Sequence, residues 1–247
     1  MSGVVRVAAV ADVHCRASNA GALGPFLADA SERADVLLLC GDLTDYGLVD
    51  EARLLARELA GVRVPVLAVL GNHDHEGQPG EVAHILTDAG VHLLDGESCE
   101  VRGVGFAGTK GFGGGFGERA LAPWGEAMIK QFVHEAVNEA LKLEAALARL
   151  TTPQRVVLLH YSPITGTVAG EPPEVFPFLG SSRLEEPINR YPVTAVFHGH
   201  AHHGSLEGRT AGGVPVYNVA LPLLRAARPD ESPLRVIEVP VTPAVAA

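Results

Sequence analysis

Residues 35–45 read DVLLLCGDLTD, five apolar residues in succession running into a Gly-Asp turn. A run of that length with no polar position describes a strand covered on both faces, as in a parallel sheet. The same arrangement stands on either side of it. Upstream, Val4–Ala11 is apolar apart from Arg6 and ends at Asp12; downstream, Pro65–Leu70 (PVLAVL) ends at Gly71-Asn72. Between these runs, Ala20–Arg33 and Leu48–Leu59 carry apolar residues at helical spacing, as in Leu48, Ala52, Leu55 and Leu59. Strands alternating with helices of about a dozen residues imply right-handed crossovers and a mainly parallel sheet. Polar residues that close such strands gather in the crevice at the carboxyl edge.

The pattern continues to the end of the chain. Gly103–Thr109 reads as a short strand leading into Lys110–Gly117 (KGFGGGFG), whose glycines predict the most flexible segment. Trp124–Leu150 places Ile129, Val133, Val137, Leu141 and Leu147 at three-to-four spacing and predicts a long helix. A strand over Arg155–His160, a Pro-rich loop over Tyr161–Gly180, a short helix over Ser181–Arg190 and a strand over Val193–His198 follow. Val214–Val219 and Leu234–Val239 read as antiparallel strands. Neither an internal repeat nor a linker divides residues 1–247, so one α/β domain is expected.

Composition narrows the class. The 247 residues are 47% hydrophobic and 19% charged, which excludes a disordered chain. The formal charge is −10 and no block of four cations occurs, so a nucleic acid polymer is not an expected partner. Three cysteines, Cys15, Cys40 and Cys99, form no CxxC pair and suit a reducing, cytoplasmic setting. No signal peptide is read at the start, and no apolar stretch of about 18 residues spans a membrane.

Of eleven histidines, five stand immediately after predicted strands or in the turns beyond them. The strand-end groups are Asp12-Val13-His14, Gly41-Asp42-Leu43-Thr44-Asp45, Gly71-Asn72-His73-Asp74, His160, and Gly199-His200-Ala201-His202. Asp-x-His and His-x-His place two donors on the same side of an extended backbone, close enough to share an ion. Carboxylate, amide and imidazole donors with almost no thiolate suit Mn²⁺, Fe²⁺ or Zn²⁺, and Mn²⁺ is preferred here.

This series, DVH, GDLTD, GNHD, H and GHAH, resembles the calcineurin-like metallophosphoesterase family over Asp12 to His202. The resemblance implies a four-layer α/β/β/α sandwich with two mixed, mainly parallel sheets and two divalent metal ions at their carboxyl edge. It also implies that Asp12, His14 and His202 hold one ion, that Asn72, His160 and His200 hold the other, and that Asp42 bridges them. His73 would be the non-ligand histidine beside the phosphate, with Asp74 behind it either fixing its ring or capping the next helix. Two ions about 3.5–4 Å apart lower the pKa of a shared water and absorb charge in an in-line displacement. The purple acid phosphatase branch has a tyrosine three residues after the bridging aspartate. Here that position is Asp45, with Tyr46 one place too late, so a ferric charge-transfer site is not expected.

The expected activity is hydrolysis of small phosphate esters, leaning towards diesters, with a phosphomonoesterase as the alternative. A repair-type nuclease would add a basic surface, and a non-catalytic scaffold would lose ligands. Arg16, Lys110, Arg119 and Arg183 are candidate phosphate contacts. Lys110–Gly117 serves either as a lid, with Phe112 and Phe116 stacking on a base, or as an ordinary loop. The apolar face of the long helix packs on a sheet or forms a homodimer contact. His75, His84, His92, His134, His198 and His203 are read as surface or packing residues, with a supporting role open to the two that flank His200 and His202. Cys15 and Cys40 are read as buried thiols.

Overall fold

The structure is a computed structural model and describes residues 3–241. One sheet runs in the order β11 (Arg235–Val241), β1 (Gly3–Val10), β2 (Val36–Cys40), β3 (Val66–Val69), β4 (Val91–Leu93). Strands β1 to β4 are parallel, and β11 pairs antiparallel with β1. All five residues of β2 are buried, as its unbroken apolar run requires.

The second sheet has the order β5 (Glu97–Val101), β6 (Val104–Gly108), β7 (Arg155–Leu158), β8 (Ala195–His198), β10 (Pro215–Asn218), β9 (Glu207–Arg209). Its four central strands are parallel and both edges are antiparallel. β10 lies antiparallel to β9, as expected for Val214–Val219, but parallel to β8, which corrects that expectation on its inner edge: the chain re-enters beside β8 in the direction of the core strands. A two-residue turn, Arg102-Gly103, joins β5 to β6. Both residues have positive φ (53° and 83°), the combination a tight hairpin needs.

Side-chain alternation sorts the second sheet into two faces. Phe106, Val156, Leu158 and Phe197 join the core between the sheets, while Ala107, Val157, Leu159 and Val196 form a separate cluster with the outer helices. Those helices are α4 (Ala127–Arg149), which buries Val133, Ala136, Leu143, Ala146 and Leu147, and α6 (Glu185–Arg190). On the far side, α1 (Gly24–Arg33), α2 (Val49–Leu59) and α3 (Pro79–Asp88) cover the first sheet. The result is a four-layer α/β/β/α sandwich. A single turn, α5 (Phe176–Leu179), and α7 (Leu221–Ala227) complete the described elements named here.

Helices α3, α5 and α7 and strands β4, β5 and β9 are absent from the sequence reading. Pro79 at the first turn of α3 is a start signal that reading passed over; the three strands are short or at edges, where burial leaves little pattern. The Gly-rich segment 110–117 is also corrected, because it is knitted into the fold. Gly111 N donates to Glu139 Oε2 (2.7 Å), Gly114 N to the Pro177 carbonyl (2.6 Å) and Gly115 N to the Gly180 carbonyl (2.9 Å). Its glycines permit close backbone packing: a Cβ on Gly113 would press on the Pro177 carbonyl and on Phe132. Among the described residues no helix is long and apolar enough to cross a membrane.

Candidate functional site

The expected donors arrive at one edge from both sheets. Asp12 and His14 follow β1, Asp42 follows β2, Asn72 and His73 follow β3, His160 follows β7, and His200 and His202 follow β8. The loops after β1 and β2 run side by side, with Asp12 N donating to the Gly41 carbonyl and His14 N to the Asp42 carbonyl (both 3.0 Å). Asp12 stitches the two sheets together, since its carboxylate accepts from His200 N at 3.0 Å and from His202 Nε2 at 3.0 Å.

Two trios form at once. Asp12, His14 and His202 each offer a donor atom within 4.8 Å of the others, and so do Asp42, His160 and His200. Asn72 joins the second trio, with its Oδ1 2.9 Å from His160 Nε2. Asp42 faces both, with Oδ1 3.3 Å from His160 Nε2 and Oδ2 3.8 Å from His14 Nε2. The backbone gives way to make this possible. Asp12, His14, Asp42 and His200 all have positive φ (56°, 41°, 49° and 68°), as does Arg102 in the hairpin. Such conformations cost of order 1–3 kcal/mol each and persist where the surroundings over-determine them. A Cβ on Gly199 would collide with the Asp12 carboxylate, which explains glycine there.

The electrostatics fit divalent cations. Both ring nitrogens of His14 are buried with no hydrogen-bond partner; Nδ1 lies 3.2 Å from Asp45 Oδ1 but off the line a hydrogen bond needs. Burial holds the His14 pKa below its usual value, and burial with the neighbouring His160 charge brings His200 to about 4, so both rings are neutral at pH 7. His200 Nε2 donates to the Phe178 carbonyl (3.1 Å), which leaves Nδ1 with the free lone pair. Burial opposes charge on His160, yet the adjacent Asp42 carboxylate prevails and raises it to about 9. His160 then donates from Nδ1 to the Cys40 carbonyl and from Nε2 to Asn72. The hydrogen bond to Asp12 raises His202 in the same sense. A cation entering would displace these two protons.

His73 is differently placed. Its Nδ1 donates to the Asp45 carbonyl (2.7 Å), its ring stands edge-on to His14 at 4.6 Å, and a third of the side chain is exposed. Asp74 does not orient it. The Asp74 carboxylate is fully buried and accepts from Leu43 N, Thr44 N, Thr44 Oγ1 and Gly71 N. The expectation that Asp74 fixes the His73 ring is thus corrected: the short turn after Asn72 sends its side chain inward, where it braces the loops after β2 and β3.

Asp45 is the residue the sequence reading undervalued. With His14 and His73 it forms a third group of donors within 4.8 Å, and its Oδ2 accepts from Arg16 Nη1 at 2.8 Å. Its spacing, three residues after Asp42 in GDLTD, was the available signal. Of the candidate cations, Arg16 is thereby tied to the cluster. Lys110 sits over the rings of Phe112 and Tyr161, Arg183 donates to the Leu121 carbonyl, and Arg119 lies in an outer turn. Beneath the site, His198 is buried against Thr167 and its pKa falls to about 4 through burial.

The sequence profile of the calcineurin-like phosphoesterases matches residues 5–204. The chain belongs to the calcineurin-like phosphoesterase family. Its members are metal-dependent hydrolases of phosphate esters with binuclear divalent centres. No curated protein sequence matches this chain closely enough to add to that assignment. Among solved structures, this phosphoesterase is similar to the phosphopantetheinyl hydrolase of Mycobacterium tuberculosis, with TM-score 0.68, 18% identity, and 94% and 95% of the two chains covered. It is also similar to GAP50, the anchor in the inner membrane complex of Plasmodium (TM-score 0.55, 14% identity, 89% of this chain and 72% of that one). A purple acid phosphatase from yellow lupin gives TM-score 0.53 at 18% identity, over 82% of this chain and 38% of that one. These likenesses are of fold.

Proposed function

We propose that this phosphoesterase hydrolyses small phosphodiesters with two divalent cations, Mn²⁺ by preference, as a single-domain cytoplasmic enzyme. Asp12, His14 and His202 would hold one cation, Asn72, His160 and His200 the other, and Asp42 would reach both. When bound, the pair supplies Lewis-acid polarisation of the phosphoryl oxygens and a water of lowered pKa. His73, steered by the Asp45 carbonyl, presents its Nε2 to protonate the leaving alkoxide. Arg16, held by Asp45, offers a guanidinium to a non-bridging phosphate oxygen.

The observation that carries this reading is the Asp42 carboxylate facing His14 with one oxygen and His160 with the other. The diester preference is supported by an open edge, where His73 and His202 are one-third exposed. Three free cysteines, two of them buried, support the reducing compartment.

Metal analysis with two assays tests the proposal. The purified protein is expected to take up close to two Mn²⁺ per chain and to cleave bis(p-nitrophenyl) phosphate faster than p-nitrophenyl phosphate. The reverse order favours the monoesterase, and loaded protein that cleaves neither substrate overturns the catalytic reading. A panel of cyclic nucleotides, nucleotide-sugar pyrophosphates and phosphopantetheine-type esters would then narrow the substrate.

A further inference from the structure

A cleft of 240 Å³ opens directly beside the cation cluster, lined by Asn72, Phe112, Gly113, Phe132, Tyr161, Phe178 and His200. Two of these residues, Asn72 and His200, also belong to the cluster, so the cleft and the reacting phosphate share a wall. The remaining walls are almost wholly aromatic. Phe178 meets Phe132 edge-on at 6.0 Å, Phe132 meets Phe112 at 4.8 Å, Phe112 meets Tyr161 at 5.8 Å, and Tyr161 meets His200 at 4.5 Å. This is a continuous run of rings ending at the proposed cation site. No carboxylate, lysine or arginine is among the lining residues.

We propose that this cleft is the subsite for a neutral, flat aromatic substituent of the phosphate ester, such as an aryl group or a nucleobase. The inference rests on the phosphoesterase reading and names the substrate class of that same site. A cationic second substituent would meet no carboxylate in the lining, at a large desolvation cost, and the Lys110 ammonium is engaged over the Phe112 and Tyr161 rings. The volume is below that of a typical drug-sized pocket, which suits a one- or two-ring group. Rings at these tilted and edge-on separations offer faces and edges to a guest ring in the geometries aromatic pairs prefer. Phe178 is the specificity-determining residue with the clearest test, because its side chain is 60% exposed and contributes little to folding.

The test uses the Mn²⁺-loaded protein and calorimetric titration with phenylphosphonate, cyclohexylphosphonate and methylphosphonate. These probes share the anionic head and differ in the group offered to the cleft. Phenylphosphonate is expected to bind about tenfold more tightly than methylphosphonate, with cyclohexylphosphonate between them. In Phe178→Ala the phenyl-to-methyl ratio should fall to about twofold, and Phe178→Trp should restore it. Thermal melting and metal stoichiometry check that each variant is folded and loaded. Equal phenyl and methyl affinities, no binding of any probe, or a ratio untouched by Phe178→Ala would overturn the proposal. Cyclohexyl binding as tight as phenyl would also overturn it, because the cleft would then be merely apolar. A parallel assay with bis(p-nitrophenyl) phosphate separates the two failures. Turnover without phenyl preference removes the aromatic subsite alone, whereas no turnover removes the enzymatic reading and the subsite with it.

Discussion

Asp42 carries the heaviest demand on any single side chain. Its backbone sits at φ 49°, one oxygen faces His160, the other faces His14, and Oδ1 also accepts from His73 N (2.9 Å). Asp42→Ala is expected to abolish metal uptake and activity together, read by elemental analysis and ester hydrolysis. His73→Ala should separate the two: occupancy stays, and the rate falls by about 10²–10⁴, the usual worth of a general acid. Full rate in that variant would remove His73 from the chemistry. Asp74→Ala belongs to a different category of effect, because it leaves buried Leu43 N, Thr44 N and Gly71 N without their acceptor. The expected cost is about 3 kcal/mol or more, a fall of roughly 6–12 °C in Tm for a chain of this size. Metal-free melting curves decide it. An unchanged Tm would mean that the brace is dispensable.

Among the elements, the Gly-rich loop and α4 act as one unit. Glu139, buried on α4, accepts from Thr109 Oγ1, Gly111 N and Lys142 Nζ, and so clamps the start of the loop to the helix. Phe112 then packs on Phe132 of the same helix. Glu139→Ala should release this segment and expose residues 110–117 to limited proteolysis while the two sheets stay intact by circular dichroism. Resistance equal to that of the native chain would show that packing of Phe112 alone suffices. The glycine count suggested mobility, but the Glu139 carboxylate and the Pro177 and Gly180 carbonyls, all distant in sequence, claimed those backbone donors. A buried N–H costs too much to leave unpaired.

For the whole molecule, the site exists only because two sheets present their carboxyl edges together. Asp12 from the first sheet holds the backbone of His200 from the second, so cation binding crosses the interface and should stabilise the fold. At 100 times Kd a ligand contributes about 2.7 kcal/mol, and chelation should lower Tm by roughly 5–10 °C. Proton linkage sets its pH dependence. In the metal-free protein His160 is raised to about 9 beside Asp42, so its contribution is fully present below about 6.5 and is lost as pH rises through about 9. A cation must displace that proton, so Mn²⁺ affinity should strengthen between pH 6.5 and 8. A flat titration would contradict the assigned role of His160.

The sequence by itself determined the strand rhythm and the donor inventory. The central residues of the apolar runs, Val7–Val10, Val36–Cys40, Val66–Val69, Val156–Leu159 and Ala195–Phe197, are buried on both faces, so an apolar identity was forced there, and the polar residues closing them were visible as breaks. The seven expected donors stand where strand ends place them. Only the tertiary structure decided what depends on contacts between distant segments. It turned Asp74 inward as a brace and brought Asp45 between His14 and Arg16. It locked the Gly-rich loop onto Glu139 and set four aromatic rings beside His200. None of these leaves a periodic trace, because each is fixed by which surfaces meet when the two sheets pack and not by the residue's own neighbours.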